Sequence, residues 1–274
     1  MALAQGATLQ ADAALGFWRT GQSALPPETL IRWARAQRLL LLLPWRAQQR
    51  GWRLPAPLLV AARQEGYATA AWQARALRAL RTLGALAQAM EAPAVIVKGP
   101  LAAEAYPDPL LRPYGDLDLL IRPQDAGRWL DAFTARGYRP HVEGGRATHL
   151  PALLPPTPGP RLELQITLDP AGRFAWSRWE ASARSWPTVP GLLQPDPGEH
   201  WLYLVYHMVE RHSLQFGLGS LADLAFGSAG WGTGRLPLPG GARRLARPRT
   251  SAAMPAPARQ PVSSPAPPLR WFWD

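Results

Sequence analysis

Residues 111–123 read L-R-P-Y-G-D-L-D-L-L-I-R-P, an apolar run carrying two carboxylates, Asp116 and Asp118, one residue apart. Side chains of a β-strand alternate with a period of two, so both carboxylates project from one face. Just upstream, residues 95–101 read V-I-V-K-G-P-L and hold Lys98, the only lysine in a chain whose other basic residues are all arginine. An ammonium beside a glycine is a compact point charge that suits a phosphate oxygen, whereas a guanidinium is larger and planar. A lysine–glycine turn and paired carboxylates on a strand edge together read as a site for a nucleoside triphosphate and magnesium.

Working outward, residues 29–90 read as helical. Leu77, Leu80, Leu83, Leu86 and Met90 form one stripe of a helix over 72–90, and earlier helices are expected to be broken by Pro44, Pro55 and Pro57. The β-branched run 95–97 reads as a strand, 100–106 as a short helix, 116–121 as a second strand, and 123–136 as a helix closed by Gly137. Residues 161–168, R-L-E-L-Q-I-T-L, alternate cleanly, with Leu162, Leu164 and Ile166 on one face and Glu163 and Gln165 on the other. Helical character returns over 200–226. From Gly227 onward Gly, Pro, Ser, Ala and Arg dominate without periodicity, which predicts a disordered tail or the product of a shifted reading frame. The division expected is a helical region 1–90, a core 91–170, a helical region 171–226 and the tail 227–274.

The formal net charge is +11 over 274 residues, but its placement argues against nucleic acid as the default partner. The tail carries seven Arg and one Asp, a net of +6, while residues 1–226 carry 23 basic and 18 acidic groups, a net of +5. Nucleic-acid binding is therefore open but not indicated. The absence of cysteine excludes disulfides, thiolate zinc sites and a cysteine nucleophile. The five leucines of 39–43 are too short to span a bilayer, and residues 1–12 do not read as a signal peptide, so a cytoplasmic protein without membrane contact is expected. The five histidines make no metal-binding pattern; His207 and His212 are five apart and do not stack on one helix face.

At Lys98-Gly99, Tyr106-Pro107-Asp108-Pro109, Arg112-Pro113 and Asp116-Leu117-Asp118-Leu119-Leu120, the chain resembles a bacterial family of uncharacterised, stand-alone nucleotidyltransferases within the polymerase-beta-like superfamily. The likeness covers roughly residues 30–226, weakly around His207, His212 and Asp223. It implies an α+β fold, a small mixed nucleotidyltransferase sheet flanked by helices, with helical N- and C-terminal regions. It also implies two-metal transfer of an NMP from an NTP to an acceptor, which a small molecule, RNA or a protein would each satisfy. In that picture Asp116, Asp118 and Glu163 are the catalytic and Mg2+-holding carboxylates, and Lys98 and Gly99 hold the phosphates. Arg112 either clamps a phosphate or locks the aspartate pair.

Plainer readings stand beside these: a solvated or capping Asp116–Asp118 pair, a surface Lys98, a polar strand face for Glu163, and a structural Arg112. The strand that commonly reads acid-x-His-Trp in relatives is Glu163-Leu164-Gln165-Ile166 here. Together with the tail, that departure motivates the alternative of an inactive or truncated member that only binds a nucleotide or partner.

Overall fold

Helices at both ends and a mixed sheet between them make up residues 26–141, 150–169, 171–211 and 217–229, the part described by a computed structural model. Three helices come first: α1 (Pro27–Ala36), α2 (Leu42–Arg50) and α3 (Ala56–Ala89). Pro44 and Pro57 do not break helices as the sequence reading expects. Each sits in the first turn of its helix, where the missing N–H has no intrahelical acceptor to lose. Consequently α3 runs unbroken for 34 residues. Its length serves two cores. Leu58, Ala61 and Ala62 pack with α1 and α2, while Ala76, Leu80, Leu83 and Leu86 pack on the sheet.

The sheet is built from β1 (Ala94–Val97), β2 (Asp116–Ile121), β3 (Arg139–Pro140), β4 (Leu153–Leu154), β5 (Arg161–Gln165), β6 (Arg184–Ser185) and β7 (Leu193–Gln194). Their spatial order is β3-β4-β5-β2-β1-β7-β6, with β2 antiparallel to β1 and parallel to β5. The four two-residue strands carry no readable period, and the sequence reading contains none of them beyond an extended piece opening at Tyr138, beside β3. Strand β5 is shorter than the alternating run 161–168. It ends at Gln165, and Thr167 instead bridges to Ala175.

The remaining helices are α4 (Gly99–Ala103), α5 (Ala126–Thr134), α6 (Trp176–Glu180), α7 (Pro197–Tyr206) and α8 (Leu218–Ala229), with a π-helical turn at His207–Arg211 after α7. Gly137, at φ 80°, closes the turn after α5, and the Tyr138 N–H reaches back to the Phe133 carbonyl at 3.1 Å. Helix α8 continues to Ala229, past the compositional break at Gly227. The rest of the expected tail, 230–274, lies outside the described residues, as does His212. No helix among the described residues is long and apolar enough to cross a membrane.

Both faces of the central strands are covered. Leu117, Leu119 and Ile121 of β2 enter the core beneath α3 and α5. Leu120, with Val95 and Val97 of β1, enters another beneath α6 and α7, beside Trp179 and Tyr203. Asp116 and Asp118 share this second face with Leu120, at the β2 end where the apolar cover stops.

Candidate functional site

Parallel pairing sets Asp118 beside Glu163 and Asp116 beside Arg161. Side chains at paired positions share a face, so two strands deliver three carboxylates to one spot. Oxygens of Asp116, Asp118 and Glu163 all lie within 4.8 Å of one another. Across the antiparallel pair, Val97 sits opposite Asp118, and Lys98, leaving the strand in a positive-φ turn rather than continuing its alternation, brings its side chain to the same cluster. Its Nζ stands 2.7 Å from Asp118 Oδ1. From the other side Gln165 Nε2 donates to that same oxygen, while Gln165 Oε1 is buried without a hydrogen-bond partner.

Lys98 adopts φ 55° and ψ −126°, a backbone region that L-residues rarely enter. The turn is held by the Lys98 N–H, which donates to His200 Nε2 at 3.0 Å. A protonated imidazole has no acceptor, so His200 must be neutral for this bond. Burial enforces that, pushing its pKa down to about 3, with the Arg112 charge adding to the effect. Gly99 is packed tightly: a Cβ there would meet the Asp116 carbonyl oxygen at 3.2 Å and the Tyr114 ring at 3.4 Å.

The cluster is electrostatically tense. Burial raises the Asp116 pKa, the neighbouring Asp118 charge raises it further, and Lys98 and Arg161 oppose them. Asp118 is raised chiefly by burial, with Lys98 opposing and Glu163 adding. Burial would depress the Lys98 pKa, but Asp118 beside it more than offsets this and the ammonium is held charged. Arg161 lies 2.8 Å from Glu163 and 3.6 Å from Asp116. Three carboxylates thus face two cations. The donors are oxygens alone, the set that suits a hard divalent ion such as Mg2+.

Arg112 does not hydrogen-bond the Asp116–Asp118 pair. Its Nε and Nη2 donate to the two oxygens of Asp223 on α8 at 2.7 and 2.9 Å, and its Nη1 to the Gly99 carbonyl at 3.0 Å. Tyr106 donates its hydroxyl to Asp223 as well, at 2.6 Å. Arg112 therefore ties the lysine–glycine turn to the C-terminal helix, and its fork is already engaged. Between this strap and the carboxylates opens a cavity of about 330 Å³, lined by Lys98, Asp116 and Asp118 on the sheet side. Arg38, His207, Met208 and Ser220 line it from the helical side.

Sequence reasoning did not single out His200, Asp223, Arg161 or Arg38 for this site. His200, Asp223 and Arg38 act through partners far away in the chain, and Arg161 through Glu163 two residues on and Asp116 on the neighbouring strand; no motif marks them. Two positions carried a signal: Gln165 as a departure from the pattern of relatives, and Asp223 within the weak likeness of the C-terminal helices.

The sequence model of a family described as uncharacterised nucleotidyltransferases matches residues 23–229. No curated protein matches the chain. Among solved structures, a crystal structure of an antigenic nucleotidyltransferase-like protein from Paracoccidioides brasiliensis is 14% identical, with a TM-score of 0.39. That similarity covers 56% of this chain and 75% of the other.

Proposed function

Since the chain belongs to the uncharacterised nucleotidyltransferase family, we propose that it transfers a nucleoside monophosphate from an NTP to an acceptor, with release of pyrophosphate. The observation that carries this reading is the convergence of Lys98 with three carboxylates from two adjacent strands on one face. Asp116, Asp118 and Glu163 are the residues that would hold Mg2+. When bound, the metal would neutralise the triphosphate and favour the ionised acceptor.

The chain's own residues supply the rest. Lys98 exchanges its contact with Asp118 for phosphate oxygens once the carboxylate charge is otherwise compensated. An acceptor oxygen then attacks the α-phosphorus, the bond from that phosphorus to the β-phosphate oxygen breaks, and pyrophosphate leaves. The acceptor's proton passes to a carboxylate of the cluster, for which Glu163 is the assigned base. Lys98, held in its strained turn by His200, and Asp118, gripped by Lys98 and Gln165, are oriented before substrate arrives. Preorganisation of this kind lowers the barrier without reorganisation during the reaction.

Calorimetric titration of ATP, CTP, GTP and UTP with Mg2+ tests this in the wild type and in Asp116→Asn and Asp118→Asn. Binding of at least one NTP is expected, weakened about tenfold or more in each variant. Pyrophosphate release in the presence of acceptor candidates then separates an enzyme from a protein that only binds nucleotide. A folded wild type that binds none of the four sinks the proposal.

A further inference from the structure

Helix α1 ends in a turn whose geometry normally calls for glycine. The Arg38 N–H donates to the Arg35 carbonyl at 2.9 Å and the Leu39 N–H to the Ala34 carbonyl at 2.8 Å, the paired bonds of a Schellman closure. Arg38 occupies its left-handed position at φ 55°. Glu91 does the same after α3, at φ 50°, so the backbone alone carries no argument. What distinguishes Arg38 is where its side chain lies.

Arg38 lines the 330 Å³ cavity that contains Lys98, Asp116 and Asp118. It also lines a second cavity of about 290 Å³, and the two adjoin through Arg38, Tyr114 and Gly115. Lys98 is paired with Asp118, Arg112 with Asp223 and Arg35 with Glu65. Among the described lysines and arginines lining the two cavities, Arg38 alone has no carboxylate partner. Its Nη2 donates to the neutral hydroxyl of Ser220.

The position is also fixed. The Gln37 carbonyl accepts the Gly219 N–H at 2.8 Å, and Gln37 Oε1 accepts the Leu218 N–H at 2.9 Å. A Cβ on Gly219 would stand 2.8 Å from Arg38 Cβ, and one on Gly217 2.9 Å from Gln37 Cα. Backbones approach this closely only because both residues are glycine. The start of α8 is thus zipped to the turn that presents Arg38.

We propose that Arg38 is a phosphate-binding residue of this cavity, gripping phosphate oxygens of a substrate from the helical side while Lys98 approaches from the sheet. A guanidinium presents several donors in one plane and matches phosphate oxygens in pairs, which the ammonium of Lys98 does not. Among the described residues it has no ion pair to give up when a polyanion enters. The inference rests on the nucleotide reading above and adds to it a contact from outside the sheet. The phosphate belongs either to the NTP or to a phosphorylated acceptor.

The test is calorimetric titration of inorganic tripolyphosphate, and separately of Mg2+ with each NTP, into the wild type, Arg38→Gly and Arg38→Lys, with thermal melting in parallel. Glycine suits the left-handed turn, so Arg38→Gly is expected to melt no lower than the wild type while binding tripolyphosphate about tenfold more weakly. Arg38→Lys is expected to recover part of the loss. A parallel loss of NTP affinity assigns the contact to the nucleotide. Loss of tripolyphosphate binding with NTP affinity unchanged assigns it to the acceptor. Equal tripolyphosphate binding by wild type and Arg38→Gly, or none by the wild type, overturns the inference. If Asp118→Asn abolishes NTP binding while Arg38→Gly matches the wild type with both ligands, the inference fails and the nucleotide reading stands. If Arg38→Gly weakens tripolyphosphate binding while Asp118→Asn leaves Mg2+-NTP binding intact, the metal-site reading fails and Arg38 keeps its role.

Discussion

Asp118 is the residue on which the site turns, and Gln165 is one of two side chains that hold it. Lys98 and Gln165 both donate to Oδ1. Replacing Gln165 with Leu removes a donor and frees the carboxylate to rotate, so Mg2+-dependent NTP binding should weaken about tenfold. Gln165→His keeps a donor and should stay near the wild type; equal binding by the Leu variant would refute the role. Asp116, Asp118 and Lys98 were legible because a strand's period of two and a lysine–glycine pair are local signals, whereas Glu163 came with the family resemblance. Gln165 read as a loss, because its partner lies 47 residues away. His200 was illegible for the same reason, being 102 residues from Lys98. Its effect should appear as pH dependence. The folded-state pKa of about 3 lies below the ordinary histidine value of about 6.5. Between the two the unfolded chain binds the extra proton, so stability is full above pH ~6.5 and falls with acidification, by up to about 1.4 kcal/mol per pH unit. Urea unfolding at pH 7, 6 and 5 should show that slope, flattened in His200→Gln, which keeps an acceptor but does not titrate. An unchanged slope in the variant would remove His200 as its cause.

At the level of elements, α3 is the beam that carries both cores, and one glycine sets how close the sheet side approaches it. A Cβ on Gly84 would lie 2.2 Å from the Pro190 carbonyl oxygen and 3.1 Å from Val189 Cγ1. Alanine favours a helix by about 1 kcal/mol over glycine, but here that gain is outweighed by the shift forced on the 186–192 segment. Gly84→Ala should destabilise by about 1–3 kcal/mol. Gly127 in α5 is the control, since nothing lies within 4 Å of its Cβ position, and Gly127→Ala should stabilise by about 0.5–1 kcal/mol. Chemical denaturation of both variants reads the contrast, and a gain at Gly84 would show that the approach is not tight. The apolar stripe of α3 over 72–90 was plain in the sequence. Its continuity through 56–71 was not, because a proline in a first turn and a proline that breaks a helix look alike without the fold. The two-residue strands at the sheet edges exist only through pairing with their neighbours.

Across the whole molecule, α8 walls the cavity on the helical side. Asp223 receives two bonds from Arg112 and one from Tyr106, all in a buried setting. Replacing Asp223 with Ala leaves a buried guanidinium without its anion and should cost about 3–5 kcal/mol, read as a lowered urea midpoint. Pairing Asp223→Leu with Arg112→Met should return part of that stability, because an apolar pair carries no unbalanced charge. A single variant as stable as the wild type would mean that the strap carries no weight. The order of the main elements was legible from periodicity, and the α+β class from the family resemblance. This closure was not, since its two ends lie 111 residues apart. That separation also has a temporal meaning. A ribosome adding about 5–20 residues per second leaves roughly 6–22 s between the emergence of Arg112 and that of Asp223. During that interval the nascent chain carries its lysine–glycine turn and strand carboxylates without the helix that completes the cavity. The cavity can therefore be completed only once Asp223 and its helix have left the ribosome.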